Sequence, residues 1–185
     1  MRDTILFGDC RETLKEFDGK ARTCVTSPPY YGLRDYGGEE SQIGQEQTPE
    51  EYIQNLVEVF RSVRDVLTDD GTLWVNIGDS YYNYRPGKGQ ALPKQTVSKT
   101  KQDLPDKCAK RGNKLEGLKE KDLIGIPWML AFALRADGWY LRQDIIWHKP
   151  NPMPESVKDR CTKSHEYIFL LSKNRKYYYN NEAIK

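Results

Sequence analysis

The sequence lacks the residue patterns that hold metal ions or disulfide frameworks. Its four cysteines form no Cys-x-x-Cys pair, and its two histidines lie in separate segments. We therefore expect no metal site, no disulfide framework and reduced thiols. It also lacks an apolar run of about 18 residues, the length that predicts a membrane span, and a charged residue directly follows the first methionine. We therefore expect a soluble chain with neither a signal peptide nor a membrane span.

A strong excess of one charge is absent too. The 29 basic and 27 acidic residues leave a net charge of only +2, so the bulk charge does not indicate a nucleic-acid partner. The distribution is uneven, because residues 84–121 contain eleven lysines or arginines and four acidic residues. This segment carries +7 and the rest of the chain −5. Two interpretations stay open: a solvated, partly disordered surface loop, or an arm that orders along DNA phosphates.

The pattern of apolar residues predicts an α/β fold in a single domain, because strand-like and helix-like segments alternate along the 185 residues. Thr48 as the cap and Pro49 in the first turn start one helix, which residues 69–71 end. Other helices are predicted at residues 11–17 and 126–136. A strand at residues 23–26 is expected to be fully buried. The other predicted strands cover residues 4–7, 72–77, 140–147, 167–172 and, as a short addition, 177–180.

The strand at residues 23–26 leads into the most informative segment, Ser27-Pro28-Pro29-Tyr30. In open α/β sheets, ligands bind beyond the carboxyl ends of the strands. The two prolines fix the backbone and remove two N–H donors, which leaves carbonyl oxygens free to bind a group outside the fold. Ser27 adds another acceptor, and the ring of Tyr30 offers a face for stacking. The turn therefore suits a planar group that carries an N–H donor.

Ser27-Pro28-Pro29-Tyr30 resembles the catalytic motif of the amino-methylating DNA methyltransferases, which move a methyl group from S-adenosylmethionine to an exocyclic nitrogen of adenine or cytosine. In that family a serine in the first position, usually preceded by threonine as here, favours N4 of cytosine over N6 of adenine. Outside residues 84–121, the resemblance to the circularly permuted beta class covers nearly the whole chain. The matching segments are Phe7-Gly8-Asp9-Cys10, residues 71–80, Ile126-Pro127-Trp128, residues 138–139, residues 145–150 and residues 165–173.

The resemblance implies the Rossmann-like fold of the S-adenosylmethionine-dependent methyltransferases and gives roles to the residues of the turn. Ser27 and the Pro28 carbonyl would accept the hydrogens of the amine while Tyr30 stacks on the base, and Pro29 completes the catalytic motif. The residues implied on the cofactor side are Asp9, Cys10, Thr26 and Ser27.

Three further residues keep two interpretations each. Asp9 is a cofactor ligand or a helix cap, Asp79 lines the pocket or caps a turn, and Trp147 is interpreted as core rather than as a DNA contact. The implied substrate is double-stranded DNA with a flipped base, in the cytoplasm of bacteria or of phage-infected hosts. The predicted DNA-binding residues are Tyr31, Tyr36, Arg85, Lys88, Lys94, Lys99, Lys101, Lys110, Arg111 and Lys149.

One feature of the beta class is absent, namely the cofactor-binding strand and Gly-rich turn that follow its catalytic half. Residues 1–185 are therefore predicted to be a single partial methyltransferase catalytic domain with a basic loop insert at residues 84–121. The chain would be a fragment of a longer enzyme, one subunit of a split enzyme whose second polypeptide carries the cofactor half, or a non-catalytic nucleic-acid-binding module. The missing strands would separate the strand that ends at Asp9 from the one at residues 23–26, and such open edges favour a homo-oligomer.

Overall fold

The computed structural model describes residues 4–33, 42–82 and 115–185 of the chain. The alternation of helices and strands in these ranges confirms the predicted α/β fold. Within them, no helix has the length and apolar composition that crossing a membrane requires. In chain order the elements are α1 (Cys10–Thr13), β1 (Ala21–Thr26), α2 (Pro49–Val66), β2 (Leu67–Ile77), α3 (Ile126–Ala136), β3 (Tyr140–His148), β4 (His165–Ser172) and a 3₁₀-helix (Asn181–Ile184).

The four strands form one mixed sheet in the order β1-β2-β4-β3. β1 and β2 are parallel, with Thr26 opposite Val75, and α2 lies between them in the chain. β4 is antiparallel to both β2 and β3. Because β1 and β2 are parallel, their carboxyl ends meet at the same edge of the sheet.

The hydrophobic core joins α2 and α3 to the sheet. The buried residues of α2 recur at helical spacing, so the helix has one continuous apolar stripe. The main core residues are Tyr52, Leu56 and Phe60 of α2, Leu130 and Leu134 of α3, and Leu73, Val75, Phe169 and Leu171 of the strands. This packing holds the central strands β2 and β4 firmly beneath the loops at their ends.

Capping side chains set where the two long helices begin. The Thr48 hydroxyl accepts a hydrogen bond from the Glu51 amide at 3.2 Å, and the Glu51 carboxylate accepts one from the Thr48 amide at 3.3 Å. This capping box confirms the helix start predicted from Thr48 and Pro49. α3 covers the predicted residues, and the Asp79 carboxylate accepts from the Ile126 amide at its start at 3.1 Å.

Two predictions near the amino terminus are wrong. Residues 4–7 form no strand, and Ile5 and Phe7 are 75% and 88% exposed. A strand needs a neighbour that pairs with its backbone, and the described sheet offers this segment none. β1 forms as predicted but is not fully buried, since Val25 is 76% exposed. The reason is that Val25 lies opposite Trp74 of β2, on the face of the sheet away from the core residues Leu73 and Val75.

Smaller predictions differ at element ends. α1 stops at Thr13. α2 stops at Val66 and β2 begins directly after it at Leu67, so residues 69–71 are part of β2, at a bulge in its pairing with β1, rather than a turn. Residues 177–180 form no strand, and the 3₁₀-helix follows them. Trp147 is not core: it is 57% exposed, because it lies opposite Glu166 of β4, on the face of the sheet away from the core residues Phe169 and Leu171.

Candidate active site

The Ser27-Pro28-Pro29-Tyr30 turn begins where β1 ends, at the edge of the sheet where β2 also ends. Ser27 is exposed, and the two prolines and Tyr30 are half-buried. The acceptor oxygen of Ser27 is therefore accessible at the edge where open α/β sheets bind ligands.

The hydroxyl of Tyr30 is the centre of a hydrogen-bond network. It donates toward Asn76 Oδ1 at 2.9 Å and toward Glu166 Oε2 at 3.1 Å, and the Ser27 hydroxyl donates to it over a long 3.5 Å. The Asn76 amide nitrogen donates to the Tyr167 carbonyl at 3.2 Å, which orients Oδ1 toward Tyr30. Three strands, β1, β2 and β4, thus converge on one aromatic side chain.

Glu166 is an ionised member of this network. Its other carboxylate oxygen forms an ion pair with Lys149, which directly follows β3. Burial acts to raise the pKa of Glu166, but the hydrogen bond and charge of Lys149 and the hydrogen bond from Tyr30 outweigh it, so the pKa lies below its usual value. The Tyr30 pKa is raised, chiefly by burial. At neutral pH, Glu166 is therefore an acceptor and Tyr30 keeps its proton.

The ring of Tyr30 packs directly on the backbone of Gly78, just beyond β2. A Cβ atom at Gly78 would lie 2.7 Å from the Tyr30 Cε2 atom, which is closer than real contacts allow. The ring is thus confined by this backbone as well as by its hydroxyl partners, and its plane is fixed before any ligand binds.

The carbonyl groups of the turn have different surroundings. The Tyr52 hydroxyl donates to the Pro29 carbonyl at 2.8 Å, which ties the turn to α2. Burial raises the pKa of Tyr52, so this donor keeps its proton. In the described ranges, no hydrogen bond to the Pro28 carbonyl is found. The Pro28 carbonyl therefore keeps its lone pairs for a donor from outside, as does the exposed Ser27 hydroxyl oxygen.

On the predicted cofactor side, Asp9 has the geometry of a helix cap. Its carboxylate accepts from the Arg11 amide at 2.9 Å and forms an ion pair with the Arg11 guanidinium. The hydrogen bonds from Arg11 hold the pKa of Asp9 below its usual value. Cys10 is exposed at the start of α1. A cofactor role for Asp9 and Cys10 stays a prediction.

Asp79 caps α3 and also stands at the base of the basic insert. Its carboxylate accepts from the Gly125 and Ile126 amides at 3.0 and 3.1 Å, so capping is the role that the structure gives it. Beside it, the chain leaves at Tyr82 and returns at Asp122, with the Tyr82 amide donating to the Asp122 carbonyl at 2.8 Å. The two ends of the insert therefore meet just beyond the carboxyl end of β2.

The predicted DNA-binding residues divide into two sets. Lys149 pairs with Glu166 and is still 40% exposed, and the Tyr31 ring lies 5.4 Å from the Tyr52 ring, beside the turn. A DNA contact by either stays a prediction. The remaining residues lie outside the described ranges: Tyr36, Arg85, Lys88, Lys94, Lys99, Lys101, Lys110 and Arg111.

In the described ranges, no group of three or more histidine, cysteine, aspartate or glutamate side chains could hold a metal ion.

Sequence reasoning missed the residues that hold the turn in place. Asn76, Gly78 and Glu166 all lie in segments that resembled the family, yet none was given a role. A signal existed for two of them, because Asn76 and Glu166 are polar residues inside otherwise apolar strands. Tyr52 gave no such signal, since an aromatic residue on the apolar stripe of a helix is ordinarily core.

The chain is similar to known DNA methyltransferases in sequence and in fold. A family model described as DNA methylase (N6/N4) matches residues 21–185. The chain is 54% identical to the Type II methyltransferase M.SmaI of Serratia marcescens, across 98% of this chain and 59% of that protein. It is 52% identical to the Type II methyltransferase M.Cfr9I of Citrobacter freundii, across 98% and 58%. The chain therefore spans about three fifths of the length of these relatives.

Solved structures show the same fold. PvuII DNA methyltransferase, described as cytosine-N4-specific, superposes with a TM-score of 0.63 at 16% identity, across 96% of this chain and 51% of that chain. TTHA0409 of Thermus thermophilus, complexed with S-adenosyl-L-methionine, superposes with a TM-score of 0.56 at 21% identity, across 95% and 55%. The predicted methyltransferase fold is confirmed, and the chain contains about half of it.

Proposed function

The chain belongs to the N6/N4 DNA methylase family, and from this premise we propose that it supplies the catalytic turn of a site-specific DNA methyltransferase. The observation that carries the proposal is a pair of acceptors beside the fixed ring of Tyr30: the exposed hydroxyl of Ser27, and the Pro28 carbonyl, to which no hydrogen bond is found in the described ranges. The proposed substrate is an exocyclic amine of a flipped base in double-stranded DNA, with N4 of cytosine favoured over N6 of adenine. The serine at the first motif position supports this preference.

The mechanism follows from the weakness of the amine as a nucleophile. Its lone pair is delocalised into the aromatic ring, and acceptors that draw on the N–H groups make the nitrogen more pyramidal. Ser27 Oγ and the Pro28 carbonyl oxygen would accept these two hydrogens, while the Tyr30 ring stacks on the base. The chain thus contributes positioning and fixed polarity rather than covalent chemistry. Flipping the base out of the duplex costs a few kcal/mol, which contacts in the pocket must offset.

S-adenosylmethionine is the proposed cofactor, and when bound it supplies an activated methyl group. The described residues fit only part of such a site: Thr26 and Ser27 lie at the right edge of the sheet, whereas the carboxylate of Asp9 is engaged by Arg11. We therefore assign most of the cofactor contacts to a cofactor-binding part that the described residues do not contain. That part is further sequence of the same protein or a second polypeptide, and the proposed location is the bacterial cytoplasm.

We further propose that the basic insert at residues 84–121 follows DNA phosphates. It carries +7 in a chain that is otherwise acidic, and its two ends meet beside the end of β2, close to the catalytic turn. A cationic arm at this place would bind the DNA backbone on either side of a flipped base.

The test uses the completed enzyme, by which we mean this chain joined to a cofactor-binding part, either its own or the part of M.SmaI that the match leaves uncovered. We expect Ser27→Ala and Tyr30→Ala each to abolish methyl transfer while salt-sensitive DNA binding stays nearly unchanged. Methyl transfer is measured with radiolabelled cofactor and DNA binding by fluorescence anisotropy. Retained transfer in both variants would refute these roles, and binding without transfer by the unmutated enzyme would favour a non-catalytic DNA-binding module.

A further inference from the structure

We propose that Glu166 is a positioning residue that makes Ser27 a hydrogen-bond acceptor by fixing the direction of the bonds through Tyr30. The inference rests on the proposed function, because it concerns how the same turn receives the amine. Glu166 lies on β4, far from the motif in sequence, and its contacts with Tyr30 and Lys149 are the observations that carry the proposal.

The first step concerns the proton of Tyr30. Both partners beyond its hydroxyl are acceptors, since Asn76 turns its carbonyl oxygen to Tyr30 and Glu166 is a carboxylate paired with Lys149. A tyrosine hydroxyl has one proton, and here it is directed toward these two oxygens. The lone pairs of the Tyr30 oxygen are then left on the side of Ser27.

The second step concerns the proton of Ser27. A serine hydroxyl also has one proton and can both donate and accept. The Tyr30 oxygen lies 3.5 Å from Ser27 Oγ and accepts a hydrogen bond from the serine hydroxyl, although the bond is long and the serine is exposed. The lone pairs of Ser27 Oγ are then available to accept a hydrogen bond from the amine. A serine that donated its own proton toward the amine could not accept that hydrogen bond in the same way.

The third step identifies a change that would reverse these hydrogen bonds, in which Ser27 donates to Tyr30 and Tyr30 donates to Asn76 and Glu166. A glutamine at position 166 keeps the shape of the side chain, but its amide can donate to Tyr30 and it no longer holds Lys149 by charge. Tyr30 could then donate toward Ser27, and the serine proton would be turned toward the substrate. The carboxylate is thus required for the direction of the bonds as well as for the place of the ring.

A double-mutant cycle in the completed enzyme tests this direction of the hydrogen bonds. We expect Glu166→Gln and Tyr30→Phe each to lower kcat about tenfold, the effect of one hydrogen bond, with KM for DNA unchanged. Because both act through one chain of bonds, adding Glu166→Gln to Tyr30→Phe should lower kcat no further. As a matched control, Asp137→Asn breaks an ion pair with Arg61 at the far end of α3 and should leave kcat unchanged.

Additive losses in the cycle, or a wild-type kcat in Glu166→Gln, would overturn the inference. If thermal melting shows that Glu166→Gln does not fold, the kcat of Tyr30→Phe decides the test. A tenfold lower kcat supports the proposed direction of the hydrogen bonds, and an unchanged kcat overturns it. The proposed function fails separately, when Ser27→Ala retains methyl transfer. Loss of transfer in Ser27→Ala together with wild-type kcat in Glu166→Gln and Tyr30→Phe would refute only the role of Glu166.

Discussion

Tyr30 is held at both ends, by acceptors around its hydroxyl and by the backbone of Gly78 against its ring. A residue that must stack on a base benefits from such confinement, because a ring that is already placed loses less freedom when the base arrives. The contact with Gly78 also explains why a side chain at this position would be costly.

At the residue scale, we therefore expect Gly78→Ala to impair catalysis. The new Cβ atom would lie 2.7 Å from the Tyr30 ring, so the ring must move. Misplacement of a catalytic group by about 1 Å costs about a hundredfold in rate, and we expect a kcat loss of that order in the completed enzyme. Thermal melting provides the control, since Gly78→Ala should destabilise Tyr30→Ala, which has no ring to clash with, less than the unmutated protein. An unchanged kcat in Gly78→Ala would contradict the confinement of the ring.

The sequence reveals the residues of the turn but not those that support it. Ser27-Pro28-Pro29-Tyr30 is contiguous, so its chemistry can be predicted from adjacent letters. Glu166 and Tyr52 reach the turn only through the sheet register and the docking of α2, which depend on contacts between distant parts of the chain. Lys149 shows the same limit, because nothing in the sequence indicates that it forms an ion pair with Glu166.

At the element scale, the two ends of the basic insert are fastened together. The Tyr82 and Lys121 amides donate to the Asp122 and Tyr82 carbonyls, both at 2.8 Å, and Tyr81 pairs with Leu123. Lys121 also forms an ion pair with Asp159 at 2.6 Å. A segment whose ends already meet can be replaced without pulling on the sheet, which makes the insert a separable element.

We expect replacement of residues 85–113 by a short Gly-Ser linker to weaken DNA binding. The slope of the logarithm of the binding constant against the logarithm of the salt concentration should become shallower, by about one unit per lost phosphate contact. Anisotropy titrations over a range of salt concentrations measure this slope. The matched control keeps residues 85–113 at their full length and replaces only the lysines and arginines among them by glutamine; it should show the same change. A slope equal to that of the unmutated protein would contradict the role of the insert in DNA binding.

Elements with strong local signals were predictable, and those that depend on partners were not. α3 was predicted correctly because its apolar spacing and Pro127 define it locally, and α2 because of its capping box. The expected strand at residues 4–7 fails because a strand forms only beside a partner, which the described sheet does not give it. The expected burial of β1 fails because Val25 lies on the face of the sheet away from the core, which depends on where distant helices pack.

At the scale of the whole molecule, the described sheet is open at β1. The exposed Val25, together with Ile5 and Phe7 near the amino terminus, leaves apolar surface uncovered. The chain spans about three fifths of its relatives and about half of the superposed structures. These observations fit a catalytic part that acts together with a cofactor-binding part, and for this reason the decisive assay needs the completed enzyme.

The most direct test of the account is mass spectrometry of the nucleosides from DNA treated with the completed enzyme. We predict N4-methylcytosine in DNA treated with the unmutated enzyme and none in DNA treated with Ser27→Ala, at protein concentrations at which both bind the DNA equally. N6-methyladenine in place of N4-methylcytosine would contradict the assignment of the target base. The same methylated nucleoside at equal yield from Ser27→Ala would contradict the central claim that this turn activates the amine.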